Sequence, residues 1–204
     1  MVPRMSTLKL YDYAERLMLL LLVAPFAVAF AAVLPSHPYM IALAIGEMLS
    51  VLFILIRKPG QVVATPYAIT IAMLGTGLPL LARPTGGVPL APDHLVSALM
   101  VGGLAISIAA KLALNRSFGL VAANRGVKRG GPYLFVRHPM YLGYFVAHIG
   151  LLLGNFSWQL ICIYSLAWAA QLLRIVEEEK FLMRDPAYVD FAAATKWRIL
   201  PAIF

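Results

Sequence analysis

Gly130-Gly131-Pro132-Tyr133-Leu134-Phe135-Val136-Arg137-His138-Pro139-Met140-Tyr141-Leu142-Gly143 begins polar and basic. About thirty mostly apolar residues follow, enough to cross a bilayer and return if split in two. The chain emerges at Arg174-Ile175-Val176-Glu177-Glu178-Glu179. Gly154-Asn155-Phe156-Ser157 is the natural break, so Tyr141 to Gly154 and Trp158 to Leu173 read as two arms of a helical hairpin,. These arms are slightly short for untilted crossing, so the hairpin spans thinly or re-enters. Either way, the basic mouth and the acidic exit come to one membrane face.

The 204 residues outside and inside this stretch are 61% apolar and only 13% charged. Mean hydropathy is +0.82. A soluble domain carries nearer a quarter charged residues, so the composition is that of an integral membrane protein. Four spans are expected before the hairpin: Leu17 to Leu34, Met40 to Ile56, Pro66 to Ala82 and Leu95 to Leu114,. The first lacks a small-x-small cleavage site followed by a soluble domain, so it reads as a span rather than a signal peptide. Gly102, Gly103, Ala105, Ser107, Ala109 and Ala110 make the fourth span a close-packing helix,. Cys162, the one cysteine, reads as a small buried apolar residue. Glu47, mid-span, reads as a helix-packing partner or a substrate-tunnel residue; His148 is placed to hydrogen-bond across helices. The fold expected is all-α: four transmembrane helices, the hairpin, and an amphipathic tail whose Tyr188, Phe191 and Trp197 suit the membrane interface. No repeat or linker divides it, so 1–204 is one domain.

Placing the N-terminus in the cytoplasm puts every lysine and arginine except Arg83 on the cytoplasmic side, as the positive-inside bias requires,. Both termini and both polar clusters then face the cytoplasm. The net charge of +8 is dispersed over membrane-flanking segments. Attraction to anionic lipid accounts for it, and nucleic acid is excluded as a partner.

Pro139 suits the first turn of a helix, so Arg137 and His138 stand at its mouth, where free backbone N–H groups favour an anion. Tyr141 follows Arg137 by four residues and shares its face. Arg174 and Glu178 are likewise four apart and mutually supportive. A carboxylate suits a ligand ammonium and an arginine suits a carboxylate. His37, His94, His138 and His148 lack zinc-site spacing. Neither a nucleophile-elbow serine nor a G-x-G-x-x-G fingerprint is present,.

Gly131-Pro132-Tyr133, Arg137-His138-Pro139-x-Tyr141-x-Gly143, Glu178-Glu179 before Phe181-Leu182, and Tyr188 through Arg198-x-x-Pro201 together resemble the isoprenylcysteine carboxyl methyltransferase family and its phospholipid methyltransferase relatives. The resemblance covers about residues 115–204. It implies S-adenosylmethionine as cofactor, bound by Gly131, Pro132, Tyr133, Arg137, His138, Tyr141, Glu178 and Glu179, with no metal. It implies Arg174 and Glu178 as catalytic residues, Arg174 holding the polar end of a lipophilic acceptor drawn from the bilayer. Glu177 leaves the register of the glutamate pair open. The acceptor group is open among carboxylate, amine and hydroxyl, with Arg174 favouring an anion. The rival readings are a nicotinamide-dependent lipid or sterol reductase, whose hairpin is similar, and a non-catalytic membrane scaffold or transport subunit.

Overall fold

A computed structural model describes residues 41–58, 61–62, 65–82, 86–119 and 123–204, with isolated positions before 41. The span expected at Leu17 to Leu34 and the side chain of Glu47 lie outside the described residues. The described chain is helical. It contains α1 (Ile41–Ile56), α2 (Pro66–Leu80), α3 (Asp93–Leu114), α4 (Pro139–Gly154), α5 (Trp158–Leu182) and α6 (Pro186–Ala194). A two-residue antiparallel ladder joins β1 (Gln61–Val62) to β2 (Ala123–Asn124).

Local chemistry sets these boundaries. Prolines open α2, α4 and α6, where a missing N–H costs nothing,. Thr65, Ser157 and Asp185 accept the first free N–H groups of α2, α5 and α6,. The second hairpin arm does not end at Leu173. No proline or glycine interrupts the stretch after it, and α5 runs on to Leu182, carrying Arg174 and all three glutamates on one rigid helix.

Burial is inverted relative to a soluble protein. Leu95, Val101 and Leu112 on α3 and Leu166, Leu172 and Leu173 on α5 face outward. Ser50, Ser107, Lys111, His148, Gln171 and Arg174 are buried. Exposing that much apolar surface to water is unfavourable by about 25 cal/mol per Å², whereas lipid accepts it. α3 and α5 are long and apolar enough to cross a membrane, and α2 and α4 are shorter apolar helices. The protein is an integral membrane protein. Cys162 lies on the exposed surface, not in the core: α5 is apolar all round, so the sequence pattern does not mark which face is inward.

The bundle is closed by small residues and buried polar ones. Gly103 and Gly143 bring α3 and α4 into backbone contact; a Cβ on Gly143 would lie 2.5 Å from the Gly103 carbonyl oxygen,. Only Gly103, Ser107 and Ala110 of the expected small-residue face are buried; Gly102, Ala105 and Ala109 face outward. Gln171 Nε2 donates to the Gly75 carbonyl at 2.9 Å, tying α5 to α2. Lys111 Nζ donates to Gly46 O at 2.7 Å and Ser50 Oγ at 2.8 Å, tying α3 to α1.

Residues 115–140, read from sequence as a loop, contain ordered structure at Asn115–Ser117, β2 and Gly131–Leu134. Lys58 N–H donates to Arg116 O at 2.7 Å, and Asn124 Nδ2 donates to Asp185 Oδ2 at 2.7 Å. These bonds latch the segment to the end of α1 on one side and the start of α6 on the other.

Candidate active site

Gly131 has φ +62, a left-handed value that favours glycine,. With Pro132 it forms a 3-10 turn that buries Tyr133 and leaves Leu134 and Phe135 exposed. Gly131 and Pro132 therefore shape the site, while Tyr133 lines it. Downstream, the Arg137 and His138 N–H groups donate to the Trp197 and Arg198 carbonyls, each at 2.8 Å. These two N–H groups precede the first turn of α4, where an anion is expected. The C-terminal tail takes both of them.

The tail is part of the site rather than an interfacial appendage. Tyr188 and Phe191 are buried because α6 folds its aromatic face beneath the hairpin mouth. Their i, i+3 spacing was the available signal.

The three consecutive glutamates project about 100° apart around α5 and meet three environments. Glu177 is outermost and pairs with Lys180 at 2.6 Å. Glu179 is 3% exposed. Its carboxylate forms an ion pair with Arg137 Nη1 at 2.9 Å and accepts from His138 Nε2 at 3.2 Å, Arg198 Nε at 2.6 Å and Tyr188 OH at 3.4 Å. Four donors saturate one carboxylate, so Glu179 holds the frame together and does not line the cleft. Glu178 does line it. The Tyr141 hydroxyl donates to Glu178 at 3.5 Å, a long contact, and among the described residues no cation pairs with Glu178.

The cleft has a volume of about 90 Å³, several times the roughly 10–15 Å³ one water needs. Phe118, Tyr133, Tyr141, Tyr188 and Phe191 supply aromatic walls; Asn124, Arg125, Arg137, His138 and Glu178 supply polar groups. Burial, then the Glu178 charge, raises the Tyr133 pKa; burial, then Glu179, raises that of Tyr188. Both phenols remain protonated donors at working pH.

A second cavity, about 30 Å³, lies between α1, α2, α4 and α5. Arg174 lines it, 4% exposed. Its Nη2 donates to Gly119 O at 3.1 Å and its Nη1 to Gln171 Oε1 at 3.5 Å. Its Nε has no partner among the described residues. The expected Arg174–Glu178 pair does not form. Tyr141 stands between them, its ring 5.4 Å from the guanidinium and its hydroxyl on the carboxylate. Phe118, Met140 and Tyr141 line both cavities, forming a shared wall.

Every sequence-selected residue thus falls at the cleft, at its frame, or at the second cavity. Phe118, Asn124 and Gln171 were not anticipated. Their types carry no chemical signature, and only packing brings them in.

No curated protein and no solved structure gives a significant match to the chain. Residues 98–184, from α3 through the glutamates of α5, match the sequence model of the Isoprenylcysteine carboxyl methyltransferase (ICMT) family. The matched stretch carries Phe118, Tyr133, Tyr141, Arg174 and Glu178 of the two cavity linings, and over it the chain is similar to a family of carboxyl methyltransferases.

Proposed function

We propose that the chain transfers the methyl group of S-adenosylmethionine to the carboxylate of a lipophilic acceptor drawn from the bilayer, at the cytoplasmic face. The observation that carries this reading is the shared wall. A cleft with five aromatic rings and a carboxylate abuts an intramembrane cavity with a buried arginine, and among the described residues neither charge has an opposite partner.

The cleft chemistry suits that cofactor. Aromatic faces attract a cation held within about 6 Å and stack on a planar base. Glu178 offers a counter-charge to an ammonium or sulfonium. Bound S-adenosylmethionine would supply an electrophilic methyl group on a positively charged sulfur.

The protein's part is positioning and electrostatics. Arg174 offers a two-pronged guanidinium to a carboxylate. Tyr141, between Arg174 and Glu178, fixes the spacing of the two polar sites and keeps their charges from neutralising each other. Met140 and Phe118 exclude water from the junction. Transfer to an acceptor carboxylate would form an O–C bond as the donor's C–S bond breaks, giving a neutral thioether and a neutral ester. No proton changes hands, so no general base is required. The roles proposed at sequence level are kept for Arg174, Glu178, Tyr133 and Tyr141, while Glu179, Arg137 and His138 serve as the frame.

The test is a titration of the purified chain in nanodiscs with S-adenosylhomocysteine by calorimetry. Assay of base-labile methyl ester formation on N-acetyl-S-farnesylcysteine and on fatty acids follows. Glu178→Gln should weaken binding of S-adenosylhomocysteine, while Arg174→Met should spare it and abolish ester formation. A chain that binds no S-adenosylhomocysteine would end this reading.

A further inference from the structure

Several polar side chains line the cavity between α1, α2, α4 and α5 without a part in the methyl transfer, His148 among them. His148 on α4 lines it and is 6% exposed. Trp168 Nε1 on α5 donates to His148 Nδ1 at 3.2 Å. An indole N–H is a donor only, so Nδ1 is the bare nitrogen and the ring proton sits on Nε2. That Nε2–H has no acceptor among the described residues. The ring is held by its neighbours: Tyr164 at 4.4 Å and Tyr144 at 6.0 Å, the latter near-parallel. A buried donor with its tautomer set, its plane fixed and its remaining N–H on a cavity is a site prepared for an oxygen. Leaving such a group unsatisfied is unfavourable, and more so where the surroundings are lipid rather than water.

Its depth specifies which oxygen. Trp168 precedes Arg174 by six residues on one helix, so His148 lies about 9 Å farther into the bilayer than the arginine. We infer that the acceptor carries a hydrogen-bond-accepting oxygen (a ketone, ether or similar group) within its lipophilic body, and that His148 selects for it. This inference rests on the proposed function, in which the acceptor's charged end meets Arg174. It adds a second reading point: a purely hydrocarbon tail leaves the His148 N–H unpaired, and a tail with an oxygen at that depth satisfies it.

The test uses the full chain with Trp158→Phe and Trp197→Phe, so that only Trp168 emits beside the histidine. In nanodiscs it is titrated with palmitate and with a series of oxo-palmitates whose ketone is stepped along the chain. One position, or two adjacent ones, should bind about tenfold more tightly than palmitate. His148→Phe should bring the whole series to the affinity of palmitate. His148→Gln, which keeps an N–H, should retain a preference, separating recognition from packing. Equal binding across the series, no binding at all, or a preference that survives His148→Phe overturns the inference. Ester formation in the same samples reports on the proposed function independently. A positional preference without ester leaves His148 as the reader and refutes carboxyl transfer; ester without preference does the reverse.

Discussion

Glu178 and Glu179 are adjacent and chemically identical, and their substitutions should fail in opposite ways. Glu179→Gln keeps the shape of the side chain and removes its charge. The Arg137 and Glu179 side chains are 8% and 4% exposed, so the variant leaves a guanidinium buried without its counter-charge. Breaking a buried pair of this kind costs about 3–5 kcal/mol. The Arg198 contact adds less, because that side chain is 37% exposed and half-solvated pairs contribute about 0–1 kcal/mol. Unfolding in mixed micelles of rising SDS fraction measures the loss. Arg137→Met removes the stranded charge, so the double variant should recover much of the stability lost by Glu179→Gln. Glu178→Gln disturbs one long bond from Tyr141, so it should leave stability within about 1 kcal/mol and lose cofactor-analogue affinity. If Glu179→Gln costs under about 1 kcal/mol, or Arg137→Met is equally costly in both backgrounds, the ion cluster is not what holds the hairpin mouth.

Gly143→Leu should prevent assembly of the α3–α4 pair, because even its Cβ would sit 2.5 Å from the Gly103 carbonyl; loss of a monodisperse peak in detergent chromatography checks this. Gly75→Ala places a Cβ 2.9 Å from Gln171 Cδ; it should shift the amide that contacts Arg174 and raise acceptor KM while leaving S-adenosylhomocysteine affinity unchanged. Asp185 is held below the usual carboxylate range by Asn124 and then by the Ala187 N–H. Its cap therefore contributes fully above the unfolded-state pKa and is lost as pH falls through the depressed folded-state value. Asp185→Asn should flatten that acidic decline in thermal stability. Tyr188→Phe removes a 3.4 Å bond to Glu179 yet keeps the aromatic wall, so it should cost stability of about 1 kcal/mol and little cofactor-analogue affinity.

Much of the architecture was legible in the residues themselves. Runs of apolar residues bounded by prolines and glycines specify helices in lipid, since every backbone group must find its partner within the segment. The hairpin and the opposition of Arg137-His138 to the glutamates follow from segment length. Side-chain direction was less legible where a helix is apolar all round: Cys162 and half of the α3 small residues point away from the core, and hydrophobicity there does not distinguish lipid from protein. The end of the second arm was misjudged because charge marks the edge of the membrane, not the end of a helix.

Sequence alone marked the apolar helices from Met40 onward, the membrane setting and the residues that meet around the hairpin mouth, because these depend on periodicity, length and local caps. Only the tertiary structure decided which environment each of the three glutamates meets and that Arg174 and Glu178 do not pair. It also decided that the tail closes the site and that His148 accepts from Trp168, leaving its other N–H without an acceptor among the described residues. Those outcomes turn on directions around a helix axis and on what stands between two groups, and residue identity and spacing encode neither.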